Sequence, residues 1–358
     1  MNKRRPRVTN DEYEILKKYR AIKDECDKHN IDPQTVKHGW LKSKDSSLHF
    51  HNPNFNIPEF DPEKIDFSKI VSSVVQYQPK PKIANSNYGI FDRLVYTDTH
   101  IGMDVNPHNK SQYGGKWDED EIFKQLDAML AYVKQEKMSD VIIVDDLGDL
   151  LDGWDSKTVR KKHDLPQNMN NEEAFDVALR FKLKQASFLY NIYNKVIFNN
   201  ISEDNHSGAF GAILNNAFKV ICNQMFDDSV IVNNYNKFFN HYKYMNNTFI
   251  ITHGKDSTGL KAGLKPNLSV KGKEQIENYI DNNYLLERGT RIELSKGDTH
   301  VEVYDKNSSS KFDYFNYPAF SPPSYWVQAN YTPRDYGFVF YNFKDTNHYY
   351  KKPFYFNQ

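Results

Sequence analysis

The stretch VIIVDDLGDLLD, residues 141–152, sets the reading of this chain. Residues 141–144 form a short apolar run of strand length, and it gives way at once to Gly148-Asp149, with Asp152 three positions further on. An apolar run that breaks into glycine and carboxylate is a strand delivering polar groups to a loop.

The same grammar recurs along the chain. Residues 94–96 lead to Asp98-Thr99-His100, residues 196–198 to Asn205-His206, residues 249–251 to His253-Gly254, and the weaker run 292–294 to Gly297-Asp298-Thr299-His300. Helical periodicity lies between the runs. Ile122, Phe123, Leu126, Met129, Leu130 and Val133 recur at three- and four-residue spacing behind a capping segment at 118–121, and Ala174, Ala178, Phe181, Phe188, Leu189 and Ile192 mark a second helix. Strands alternating with helices predict a layered α/β fold with much parallel sheet, in which binding groups gather beyond the C-terminal ends of strands.

Bulk properties narrow the class. A chain of 358 residues can bury a sizeable core. Lys plus Arg and Asp plus Glu both total 47, so no global field draws in nucleic acid or an anionic surface, and any basic patch is local. Cys26 and Cys222 lie far apart, without zinc-knuckle spacing or the density of a disulfide scaffold, which fits a reducing cytoplasm. No apolar segment long enough for a membrane span occurs, and the basic residues 1–7 precede no signal-like apolar stretch. Residues 9–30 show the spacing of an amphipathic helix, and residues 52–82 are rich in proline. The expected organisation is therefore a helical and extended N-terminal extension at 1–84 and a main domain at 85–358.

Aspartate, asparagine and histidine at successive strand ends form a donor set for divalent first-row metals, and a carboxylate can bridge two ions. A pair of ions about 3.5–4 Å apart activates a water and neutralises attacking and leaving oxygens at phosphorus. Singly, each motif is an ordinary turn; jointly, in this order, they resemble the calcineurin-like metallophosphoesterase superfamily. The resemblance covers roughly residues 90–305. It implies a four-layer α/β/β/α sandwich. It also implies that Asp98, His100, Asp149 and His300 hold one metal, that Asp149 bridges to a second held by Asn205, His253 and Asp298, and that catalytic His206 stabilises or protonates the leaving oxygen.

The chain departs from the family pattern at three places. Asp204 stands where glycine usually precedes the amide ligand, and Ser207 where an acid usually follows the histidine. Asp298 replaces a histidine; as a hard, anionic ligand it leans the second site toward Mn²⁺ or Mg²⁺ over Zn²⁺, with iron a further candidate. Residues 199–204 suggest a long loop before Asn205. Asp152 reads as a cap for the turn that follows it rather than as a ligand.

Residues 254–259 have the glycine spacing of a phosphate-binding loop, but Leu260 stands where lysine must follow, so a nucleotide triphosphatase is excluded. His49-Phe50-His51 has no completing ligand nearby and reads as a surface loop. Arg160, Lys161 and Lys162 follow the Asp149 motif, and Lys255 and Lys261 follow His253, so both basic segments begin at strand ends and can track a phosphate backbone. The leading expectation is a phosphodiesterase acting on DNA or another nucleic acid, similar to phage or bacterial nuclease-like members of the superfamily. The alternatives are a hydrolase of small cyclic or dinucleotide phosphoesters and a catalytically weak nucleic-acid-binding protein. Tyr314, Phe315, Tyr317, Tyr325 and Trp326 are candidates for shaping a groove, with the core as their ordinary place.

Overall fold

The computed structural model describes residues 38–42, 47–51, 90–202, 204–226, 228–258, 263–307, 309–330 and 335–356. The expected helix at 9–30, the basic residues 1–7, the proline-rich segment and Lys261 lie outside the described residues. The chain divides into a unit at 1–60 and a unit at 61–358. In the first, β1 (His38–Lys42) and β2 (Ser47–His51) pair antiparallel, with His38 opposite His51. Residues 49–51 therefore belong to a strand, not to the expected loop.

The second unit is built on two sheets. The larger runs in the order β13-β12-β3-β4-β5-β6. Its parallel centre is β3 (Phe91–Tyr96), β4 (Val141–Asp146), β5 (Lys195–Ile201) and β6 (Val230–Tyr235), with β12 (Gly337–Phe343) and β13 (Tyr349–Tyr355) added antiparallel. The smaller runs β10-β11-β9-β8-β7, from β7 (Asn240–Tyr244), β8 (Asn247–Thr252), β9 (Arg291–Lys296), β10 (Val303–Asp305) and β11 (Asp313–Asn316). All five apolar runs of the sequence are strands. Residues 199–201 extend β5, so the expected long loop before Asn205 shrinks to a few residues.

Strand alternation assigns the layers. Ile142 and Val144 face outward with Leu94, Val196 and Phe198, against Leu126 and Met129 of α1 (Glu119–Glu136), Ala178 and Phe181 of α2 (Asn171–Ile192) and Leu214 and Phe218 of α3 (Ala209–Met225). Ile143 and Val95 face inward and meet Phe249, Ile251 and Phe315 of the second sheet. Ile250 and Leu294 face away again, against Ile276 and Ile280 of α4 (Val270–Asn282). The result is the α/β/β/α order. Local chemistry fixes the helix starts: Asp118 accepts from the Glu121 amide, and Asn170 and Glu173 form a reciprocal capping box. No helix among the described residues is long and apolar enough to cross a membrane.

Between the sheets one arginine interrupts the apolar pattern. Buried Arg93 donates to Asp145 at 2.6 Å, to Glu293 at 2.5 Å and to Ser295 at 2.9 Å, and its guanidinium lies 4.1 Å from the Phe249 ring centre. The Tyr242 hydroxyl donates to Asp145, and that of Tyr317 to Glu293. Burial would raise the Glu293 carboxyl, yet Arg93 and Arg291 hold it down to about 2. This ion network thus ties β3 and β4 to β9.

Candidate metal centre

The C-terminal ends of β3, β4, β5, β8 and β9 open to the same side, and every expected ligand lies just beyond one of them. Parallel pairing continues past the strands. The Asp98 amide donates to the Gly148 carbonyl at 3.0 Å and the His100 amide to the Asp149 carbonyl at 2.9 Å, which presses the first two motifs together. The backbone is strained here: Asp98, His100, Asp149, Asp298 and His300 all have positive φ, between 47° and 70°. Both Asp-Thr-His triplets, one from each sheet, adopt this left-handed alternation and present side chains inward from opposite walls.

The first cluster contains Asp98, His100 and His300. Oδ2 of Asp98 accepts from the Thr97 hydroxyl at 2.8 Å and the Asp298 amide at 3.1 Å, which leaves buried Oδ1 without a hydrogen-bond partner. That atom lies 3.2 Å from Nε2 of His300 and 3.7 Å from Nε2 of His100, and the two imidazole nitrogens are 3.2 Å apart. Such separations suit the edges of a coordination shell with bonds of about 2.0–2.2 Å. Burial would raise the Asp98 carboxyl, but the facing His300 and His100 hold it well below its ordinary value.

Asp149 stands between this cluster and the second. Its Oδ2 lies 3.0 Å from Nε2 of His253 and 4.0 Å from Nε2 of His100, and its carboxyl is held low by the surrounding histidines in spite of burial. His253 places Nδ1 2.9 Å from the Leu147 carbonyl, so with a proton on Nδ1 its Nε2 is the free donor atom. Oδ1 of Asn205 and Oδ2 of Asp298 are buried without hydrogen-bond partners. Asp98, Asp149 and His253 form a compact group that fits a divalent ion, whereas Asp298 lies in no such group with the other expected ligands among the described residues.

Two glycines permit this proximity. Gly148 has φ +101°, and a Cβ there would fall 3.0 Å from Nδ1 of His253. A Cβ at Gly297 would fall 2.1 Å from the Thr97 hydroxyl, so the β3 and β9 loops touch only because residue 297 has no side chain.

His206 sits beside the centre, with Nε2 3.7 Å from Oδ2 of Asp149. Its Nδ1 faces Asp152 twice, 2.9 Å from the backbone carbonyl and 3.4 Å from Oδ1, while the same Oδ1 is 3.0 Å from Nδ1 of His100. Asp152 is therefore not simply a turn cap. It stands behind two imidazoles and fills the place left by Ser207. Burial lowers the His206 pKa, Asp149 and Asp152 raise it, and the net shift is upward.

Asp204 was unassigned as a functional residue by the sequence. Its buried carboxylate accepts from the Asp149 amide at 2.9 Å and from the Ser207 amide at 2.7 Å, which organises the glycine-free turn that carries Asn205 and His206. Ser321 is a second addition, its hydroxyl donating to the Asp98 carbonyl at 2.8 Å. The only sequence signal was Asp204 itself, at a glycine position; Ser321 carried none.

Of the expected substrate contacts, Lys161 and Lys162 are exposed on a loop whose Val159 and Arg160 amides donate to the His206 and Asn205 carbonyls. Arg160 is turned toward Asp256 at 3.4 Å, and Lys255 lies 2.7 Å from Oδ1 of Asp298. Tyr314, Phe315 and Tyr317 are core residues, whereas Tyr325 and Trp326 are exposed on α5 (Tyr325–Asn330).

Comparison with protein-family models finds no match, and no curated protein matches either. Among solved structures, the chain is similar to a mutant Vps29 from Entamoeba histolytica at 12% identity and TM-score 0.31, over 74% of this chain and 99% of that one. It is also similar to a predicted phosphoesterase from Streptococcus pneumoniae at 10% identity and TM-score 0.28, over 74% and 97%. A third is a 5'-nucleotidase from Candida albicans at 11% identity and TM-score 0.33, over 78% and 53%. Independently of these likenesses, the motif order, the four-layer architecture and the convergence of the ligand set agree with the calcineurin-like metallophosphoesterase fold that the sequence resembles.

Proposed function

We propose that the chain is a binuclear metal-dependent phosphoesterase that hydrolyses phosphodiester bonds, with DNA as its substrate. The observation that carries this reading is the position of Asp149 Oδ2, 4.0 Å from Nε2 of His100 and 3.0 Å from Nε2 of His253, from which the carboxylate would serve both ions. Asp98, His100, Asp149 and His300 would hold the first, and Asp149, Asn205, His253 and Asp298 the second. When bound, such a pair supplies an activated water and neutralises charge on the phosphate oxygens.

The protein's own groups do the rest. His206, raised in pKa and steadied at Nδ1 by Asp152, offers an Nε2–H to the leaving oxygen. Asp98, Asp149 and Asp298 give three carboxylates to the centre, a hard set that favours Mn²⁺ or Mg²⁺. Lys161 and Lys162, on the loop tied to Asn205 and His206, support a polyanionic substrate.

Labelled single- and double-stranded DNA and a chromogenic diester, assayed with Mn²⁺ added or chelated, test the reading in wild type and His206→Ala. Mn²⁺-dependent DNA cleavage lost in the variant is the expected result. Diester turnover without DNA cleavage transfers the substrate to small nucleotides, and silence on every substrate would favour a binding protein.

A further inference from the structure

A cavity of about 130 Å³ opens beside His253, and its wall includes Lys237, Phe238, Lys255, Ser257 and Thr258. His253, a residue of the second cluster, lines it, so the cavity adjoins the candidate metal centre. Its charge inventory is specific. Asp256 also lines it, but that carboxylate faces Arg160 at 3.4 Å and accepts from the Thr258 hydroxyl at 3.1 Å. Lys237 is exposed and has no ion-pair partner among the described residues.

Lys255 is held in place rather than freely solvated. A Cβ on neighbouring Gly263 would fall 2.8 Å from Cγ of Lys255, so the lysine stem lies close against that glycine's backbone. Its ammonium is anchored 2.7 Å from Oδ1 of Asp298, whose other oxygen is buried without a hydrogen-bond partner. A carboxylate at 298 thus leaves one oxygen that would be free for a metal while the other fixes a lysine, which keeps two N–H groups for another anion.

Resting on the phosphodiesterase reading above, we propose that this cavity is a subsite for a second phosphate of the substrate, the one neighbouring the scissile phosphate in a nucleotide chain. Lys255 and Lys237 bind it, helped by the Ser257 hydroxyl, and Phe238 lies against the linking nucleoside. Asp298 is then both a ligand and the anchor of a specificity-determining lysine.

Calorimetric titration of the Mn²⁺-loaded protein with thymidine 3',5'-bisphosphate and with each thymidine monophosphate tests the subsite. The bisphosphate is expected to bind about tenfold tighter than either monophosphate, the size of one charge-assisted hydrogen bond. Lys237→Gln should remove that advantage and Lys237→Arg should keep it. Equal affinity for all three probes, or an advantage that survives Lys237→Gln, overturns the subsite. Failure of the phosphodiesterase reading shows separately, as absent Mn²⁺-dependent turnover of a chromogenic diester, while the binding comparison still decides the subsite.

Discussion

The carboxylate of Asp152 lies 3.4 Å from Nδ1 of His206, and the carbonyl of the same residue lies 2.9 Å from that nitrogen. The acid absent after His206 is thus supplied by the loop after β4. Fixing Nδ1 leaves Nε2 as the atom that faces the reaction.

Asp152→Asn should reduce kcat/KM about ten- to a hundredfold, the usual cost of losing an orienting partner. The pH profile separates orientation from simple damage. A carboxylate favours the imidazolium, so its removal lowers the His206 pKa and moves the alkaline limb of the profile to lower pH. An unchanged limb would show that Asp152 does not act through His206.

Asp149→Asn removes a negative charge from the two candidate ligand groups that contain Asp149, one with His100 and His206 and one with Asp98 and His253. Metal-dependent turnover should fall more than about a hundredfold, beyond the range of orienting partners. Mn²⁺ titration of the variant should show weakened binding at both sites. Loss confined to one site would contradict a bridging role.

Metal uptake should release protons. In the metal-free protein burial opposes the charged form of His253, but Asp149 pushes its pKa up from 6.5 to about 10, so the imidazole is protonated at neutral pH. An ion must displace that proton, and apparent affinity should climb as pH rises from 7 toward 10. Calorimetry in buffers of different ionisation enthalpy measures the release; identical heats in all of them would rule it out. By the same linkage, the imidazolium–carboxylate pair stabilises the metal-free fold fully below pH 6.5 and is lost as pH rises through about 10.

Arg93→Ala leaves the buried carboxylates of Asp145 and Glu293 without their shared cation. The expected destabilisation is about 3–5 kcal/mol, read from denaturant unfolding. A loss under about 1 kcal/mol would mean that the tyrosine and asparagine donors around Asp145 and Glu293 suffice without it.

The central strands and the ligands were legible because each apolar run ends in chemistry: residues 141–144 and 94–96 announce β4 and β3 by composition, and Asp149 and His100 follow directly. Asn199 and Asn200 looked like loop because they are polar, yet they lie in β5, where Asn199 donates to Asp145 and Asn200 accepts from Lys182. A buried strand can carry amides when partners come from distant elements, and sequence does not display those partners. The same limit hid Asp204 and the second role of Asp152, whose contacts join separate loops.

The most direct test is turnover of a chromogenic phosphodiester by wild type and Asp149→Asn, first with chelator and then with Mn²⁺ restored stepwise. The expected result is no activity with chelator, recovery in wild type that follows filling of a second ion, and no recovery in the variant. Turnover that persists under chelation, or full recovery in Asp149→Asn, would contradict a two-metal phosphoesterase.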